Sequence, residues 1–211
     1  MDFIKGIVFD MDGTLLDSTS TLIDAWYSAL SSFSDDVPKE EVAKAVKGSM
    51  PSDMLIKTFV GNAEADTIDK VKELRARAAT GRLSSDSLFT GVPYTLKELH
   101  VMGIKLAIAT GMSHDLLDVV AESKGLSKVV DAIISSDEVE HGKPAPDVII
   151  EAFRRIGINP KEGLVVGDSE NDVLSGKGAG AITALVCSDK QVNTKADFVI
   201  SNIAEILNLI K

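Results

Sequence analysis

The sequence predicts an α/β fold: a parallel sheet with helices between its strands, carrying a smaller inserted helical unit. Three observations carry this expectation. Short runs of β-branched and aliphatic residues recur along the chain with helix-like segments between them. Residues 18–87 interrupt that alternation with helical periodicity and no convincing strand. Beyond the interruption, the helix-like segments close on glycines, as helices commonly do. With 211 residues, 45% hydrophobic and 26% charged, the chain is long and apolar enough to bury a substantial core.

The first run, "GIVF" at 6–9, is continuously apolar, as a strand covered on both faces must be. It passes directly into "DMDGT", where Gly13 and Thr14 turn the chain. Leu22, Trp26, Ala29 and Leu30 then recur at helical spacing, followed by Met54, Leu55 and Phe59, and by Val71 and Leu74. The Gly/Ser/Thr/Pro-rich stretch "TGRLSSDSLFTGVP" leads out of this insertion and suits a hinge. The expected division is therefore a core of residues 1–17 and 88–211 and an insertion of residues 18–87.

Pro93 can open the next helix, with Leu96, Leu99 and Met102 on one face and Gly103 at its end. "IKLAIA" at 104–109, "VVDAIIS" at 129–135, "GLVVG" at 163–167 and "AITALV" at 181–186 supply further strands. "SHDLLDVVAESKG" and "PDVIIEAFRRIG" are the helices between the earlier ones. The glycines of "SGKGAG" at 175–180 lack the Gly-Lys-Ser/Thr of a phosphate loop, so they are expected to allow close helix–sheet packing.

Charge narrows the function. A formal net charge of -10 argues against nucleic acid and against an anionic membrane surface as the main partner. An anionic substrate would need local cations. The single cysteine, Cys187, ends the apolar run "ITALVC"; it permits no internal disulfide and is expected to be a buried, inert thiol in a reducing compartment. The start "MDFIKGIVFD" lacks a basic leader, and no run approaches the roughly 18 apolar residues of a membrane span. The expectation is a soluble, unprocessed, cytoplasmic protein, with no signal in the sequence for an oligomeric state.

In an open parallel sheet, ligands bind outside the carboxyl ends of the strands. Strand one delivers Asp10 and Asp12 there, strand two Thr110 and Gly111, and the strand ending at Gly167 delivers Asp168, with Asp172 four residues on. The loop after strand three carries "HGKPAPD" with Lys143. Converging carboxylates repel by about 4 kcal/mol per pair roughly 4 Å apart at an effective dielectric of about 20, so a cation belongs among them. Carboxylate and carbonyl oxygens suit Mg²⁺, which keeps waters and takes further ligands from substrate phosphate. Lys143 can add a second, fixed positive charge. A carboxylate beside such charges can attack phosphorus, and a second acid two positions away can move the protons.

"DMDGTLLDS", "ATG", "GKPAPD" and "GDSENDVLSGKGAG" resemble, in order and at suitable spacing, the four motifs of the haloacid dehalogenase superfamily, particularly its phosphoglycolate phosphatase-like members. The resemblance spans nearly the whole chain. It implies a Rossmann-like three-layer core and a small helical cap inserted after the first motif. It further implies that Asp10 is the nucleophile and a metal ligand, while Asp12 is general acid and base and binds the metal through its backbone carbonyl. Thr110 and the Gly111 N–H would hold phosphoryl oxygens, Lys143 would neutralise both nucleophile and phosphate, Asp168 would ligate Mg²⁺, and Asp172 would support the site through water or Lys143. In the insertion, the resemblance puts a substrate loop at "KGSMPSD", with Ser49 and Met50 as candidate substrate contacts.

The function so implied is a Mg²⁺-dependent phosphatase that hydrolyses a small phosphorylated metabolite, such as phosphoglycolate, through an aspartyl-phosphate. Asp12 argues against dehalogenase and phosphonate-cleaving chemistry, whose members in this superfamily lack an acid there. Two alternatives stay open: a sugar phosphomutase, disfavoured because residues 18–87 contain no histidine, and a non-catalytic sensor of phosphometabolites. His114, in "GMSHD", lies nearest the second motif of the three histidines, though one at a helix start is more often polar trim.

Overall fold

The computed structural model describes residues 4–48 and 50–210, the side chain of Asp115 excepted. The chain divides into two compact units, one from residues up to Asp17 together with Leu88 onward, the other Ser18–Ser87.

Strand β1 (Gly6–Phe9) opens the larger unit, and the chain then leaves it for four helices: α1 (Thr19–Ser31), α2 (Lys39–Lys47), α3 (Ser52–Val60) and α4 (Ala65–Leu83). On its return, α5 (Val92–Val101) leads to β2 (Lys105–Thr110), α6 (His114–Ser123) and β3 (Ala132–Ser135). Next come α7 (Asp147–Ile156), β4 (Gly163–Gly167), α8 (Glu170–Ala179), β5 (Ile182–Val186), β6 (Phe198–Ile200) and α9 (Ile206–Leu209). The six strands form one parallel sheet in the order β3-β2-β1-β4-β5-β6. Strands added before β4 extend the sheet to one side of β1 and later strands extend it to the other, so the order reverses between β1 and β4. That reversal opens the crevice where α/β sheets bind ligands.

All four residues of β1 and all five of β4 are buried, which requires cover on both faces of the sheet. Helix α7 shows how the sequence supplies it. Val148, Ile149, Ala152, Phe153 and Ile156 fall on one stripe and pack on Val8, Ala107, Ala109, Ile134 and Val165. Phe153 reaches the sheet because β4 begins with glycine: a Cβ on Gly163 would lie 2.2 Å from the Phe153 Cε1. On α8, a Cβ on Gly176 would meet Thr183 Cγ2 at 2.7 Å and Val165 Cβ at 2.9 Å, so this glycine does bring helix and sheet together. No helix among the described residues is long and apolar enough to cross a membrane.

The smaller unit has its own core, in which Trp26, Ala29 and Leu30 of α1 meet Val42, Leu55, Ile56, Ile68 and Val71. Its surface is tied by Asp24, which lies 2.6 Å from Lys39 and 2.8 Å from Arg82, and the Arg75 guanidinium sits 5.2 Å from the Trp26 ring.

Several details differ from the sequence reading. Met54 and Leu74, which recur at helical spacing in the sequence, are 57% and 36% exposed, because helical spacing does not say which neighbours arrive to cover a face. Val129 and Val130 belong to a turn in which both N–H groups donate to the Leu126 carbonyl, so β3 starts only at Ala132. Cys187 is half-buried rather than buried, just past the end of β5. Strand β6 was not anticipated: with three residues it is too short to display a period.

Candidate active site

Asp10 is the first residue past β1, and its N–H donates to the Val166 carbonyl of β4 at 2.8 Å, which fixes it at the reversal point. The Lys143 ammonium donates to Asp10 Oδ1 and to Asp172 Oδ1, both at 2.6 Å. Asp10 and Asp172 are buried and Lys143 is half-buried. Carboxylate oxygens of Asp10, Asp168 and Asp172 lie within 4.8 Å of one another. The structure thus gathers residues 10, 143, 168 and 172, from distant parts of the sequence, into one charged cluster in which three acids meet one lysine.

Electrostatics records the strain of that gathering. Burial pushes the Asp10 carboxyl well above the ordinary aspartate range, Lys143 opposes this, and Asp172, Asp168 and Asp12 add to it. Asp168 is exposed at its surface yet crowded by its neighbours, and its carboxyl is pushed up to about 7, first by desolvation and then by Asp172. Burial works against a charged Lys143, yet Asp10 and Asp172 outweigh it and hold its proton more tightly than usual.

The loops that carry these groups are pinned. After Asp10 the chain forms a tight turn in which Leu15 and Leu16 N–H donate to the Met11 carbonyl and Gly13 N–H donates to the Leu16 carbonyl. Gly13 has φ +81°, and a Cβ there would lie 2.1 Å from Asp168 Oδ2, so only glycine leaves room for that carboxylate against the turn. Asp12, half-buried, pairs with Leu16 across this turn. Gly167 serves Asp172 similarly, since a Cβ there would lie 2.3 Å from the Asp172 Cγ. Ser169 caps α8 by accepting from the Asp172 N–H, and its hydroxyl donates to Asp172 Oδ2 at 2.5 Å. Ser175 donates to the Ala145 carbonyl at 2.7 Å, anchoring the loop that bears Lys143.

Thr110 ends β2, in register with Ser135 of β3, and its Oγ1 accepts from the Met112 N–H at 3.1 Å. The buried Ser135 hydroxyl donates to the Met112 carbonyl at 2.7 Å and accepts from the Asp137 N–H. A side chain at Gly111 would point into open space, with nothing within 4 Å. Ser135, Ser169 and Ser175 were not singled out in the sequence, where serines at strand and helix ends are ordinary caps. Their signal lay only in adjacency to the motifs.

Ser49 lies outside the described residues. Met50 follows α2 in the smaller unit, where its N–H donates to the Ala45 carbonyl and it packs against that unit's core. The His114 ring lies 3.8 Å from Glu138 and 3.7 Å from Asp118, a group separate from the Lys143 cluster.

The donor set fits a divalent cation of the hard class. It consists of carboxylate oxygens under mutual repulsion, with room for one of them preserved by Gly13. Both oxygens of Asp172 are already engaged, by Lys143 and by Ser169, which leaves Asp10 and Asp168 as the carboxylates best placed to hold an ion. Chemically, the cluster can neutralise a dianion and present one carboxylate to an electrophile.

Residues 7–186 match the haloacid dehalogenase-like hydrolase family. The chain is 31% identical to the pyrophosphatase PpaX of Oceanobacillus iheyensis, over 98% of its own length and 97% of that protein's. Its fold is similar to that of CbbY from Rhodobacter sphaeroides, solved in complex with phosphate, with a TM-score of 0.82 and 21% identity over 96% of each chain. It is also similar to a predicted phosphoglycolate phosphatase from Haemophilus somnus, with a TM-score of 0.80 and 22% identity over 100% of each chain. The chain belongs to the haloacid dehalogenase-like hydrolases.

Proposed function

We propose that the protein is a Mg²⁺-dependent phosphatase that hydrolyses a small phosphorylated metabolite through an aspartyl-phosphate at Asp10. The observation that carries this reading is one half-buried lysine holding Asp10 and Asp172 at 2.6 Å each, with Asp168 beside them at the reversal point of the sheet.

Asp10 attacks phosphorus and forms the new P–O bond as the bond to the leaving oxygen breaks. Asp12 gives that oxygen its proton, then takes one from the water that attacks the aspartyl-phosphate, releasing phosphate and restoring Asp10. Thr110 and the Gly111 N–H receive the phosphoryl oxygens, and Lys143 offsets the charge on both nucleophile and phosphate. Asp172 and Ser169 hold Lys143 in place rather than react. Asp10, Asp168 and the Asp12 carbonyl would hold Mg²⁺, which supplies positive charge against the phosphate and the crowded acids. The larger unit acts as the catalytic core and residues 18–87 as the cap that selects the substrate, with Ser49 and Met50 in contact with it.

A second substrate reading, inorganic pyrophosphate, is favoured by the relative named as a pyrophosphatase at 31% identity. It uses the same groups, with phosphate as the leaving group. The test is hydrolysis of p-nitrophenyl phosphate with Mg²⁺ and with excess chelator, followed by kcat/KM for phosphoglycolate, sugar phosphates, nucleotides and pyrophosphate. Turnover that disappears with the chelator supports the phosphatase, and the highest kcat/KM selects the substrate. Undiminished turnover in chelator, or none on any phosphate, contradicts it.

A further inference from the structure

A second cleft lies elsewhere in the larger unit, between α5 and the turn that follows α6, with a volume of ≈ 320 Å³. None of its lining residues belongs to the Lys143 cluster. Its floor is apolar: Leu96 and Leu126 are buried, while Leu88 and Val129 are half-buried. Its rim carries three lysines, Lys97 of α5 and Lys124 and Lys128 from the facing turn, with the His100 ring beside them. No lining residue is acidic. Among the described residues, neither Lys97 nor Lys128 forms an ion pair. Asp131, the carboxylate that feels His100, is already held by Lys105 at 2.6 Å and by the Leu106 N–H at 2.8 Å.

This concentration of positive charge runs against a chain whose net charge is -10. Like charges gathered around an apolar hollow repel one another, and an anion relieves that repulsion. A bare inorganic anion would leave the leucine floor unused, and a neutral apolar molecule would leave Lys97 and Lys128 without a counter-charge. The volume suits a small molecule rather than a protein surface, which needs a much broader face. We propose that this cleft binds a small amphipathic anion, with its apolar body on Leu88, Leu96 and Leu126 and its phosphate or carboxylate head among Lys97, Lys124 and Lys128.

The experiment is a fluorescence titration of the folded, Mg²⁺-loaded protein with 8-anilinonaphthalene-1-sulfonate, an aromatic anion that brightens in apolar sites. Saturable binding is expected, and the doubly substituted Lys97→Glu, Lys128→Glu protein should bind about tenfold more weakly or worse, with an unchanged melting temperature and phosphatase rate. Both side chains are exposed, and the milder Lys97→Gln, Lys128→Gln pair gives the same comparison without charge reversal. Octyl phosphate or octanoate should displace the dye, the stronger competitor identifying the head group, whereas inorganic phosphate should displace it poorly. Absence of saturable binding, equal binding by the substituted proteins, or displacement by inorganic phosphate as effective as by octyl phosphate would overturn the proposal.

Discussion

Lys143 decides how Asp10 can react. Burial alone would keep the Asp10 carboxyl protonated, and the lysine 2.6 Å away is the strongest influence in the opposite direction. Replacing it by methionine, Lys143→Met, should let Asp10 hold its proton to higher pH. Because the attacking form is the carboxylate, the acid limb of the kcat/KM profile should move to higher pH, and activity near neutrality should fall by roughly a hundredfold or more. A profile with an unmoved acid limb would mean that Lys143 acts on substrate alone. At this scale the sequence was legible where chemistry forces an unusual residue into place, as with two acids ending a buried strand. It was not legible for Ser135, Ser169 and Ser175, because their partners are Met112, Asp172 and Ala145, and nothing in a serine's local sequence tells a loop anchor from a helix cap.

Among the elements, α7 and β4 show how the core keeps the site in position. Phe153 is fully buried and occupies space that any side chain at Gly163 would fill. Phe153→Ala should cost about 3–5 kcal/mol of unfolding free energy, measured by urea denaturation, because the rigid strand cannot collapse into the gap. A loss below about 1 kcal/mol would show that the sheet and helix close up freely. The strand runs and glycine-ended helices were readable because each repeats a local pattern. Strand β6 was not, since three residues carry no period and its place beside β5 comes from pairing alone. Met54 and Leu74 do lie on helices, as their spacing indicates, but spacing alone does not show that they stay exposed.

For the whole molecule, the acid cluster links stability to pH and to metal. The Asp168 carboxyl is raised to about 7 from an ordinary 3.8, so the fold favours its protonated form. The stability this contributes is fully present below about pH 4 and is lost as pH rises through about 7, and Asp10 shifts in the same direction. Mg²⁺ competes with those protons, so the rise in melting temperature on adding it should be larger near pH 8 than near pH 5, and Asp168→Asn should flatten the difference. An increment equal at both pH values, or larger in acid, would contradict the assignment of Asp168 to the metal. The parallel sheet could be anticipated as a whole because strand runs alternate with helical segments, whereas the strand order is a long-range outcome that no local pattern encodes, and the contact of Lys143 with Asp172 was one of two routes that only the family resemblance implied. The central claim is that Asp10 becomes phosphorylated and that Asp12 moves the protons. The most direct measurement mixes Asp12→Asn protein with p-nitrophenyl phosphate, quenches it in acid within the first turnover, and locates the added phosphoryl group by peptide mass spectrometry. Nitrophenol needs little help to leave, but hydrolysis of the intermediate lacks its base, so the account predicts a burst of about one equivalent of nitrophenol per enzyme and a phosphoryl group on Asp10. No burst and an unmodified Asp10, with phosphate released as fast as nitrophenol, would contradict it.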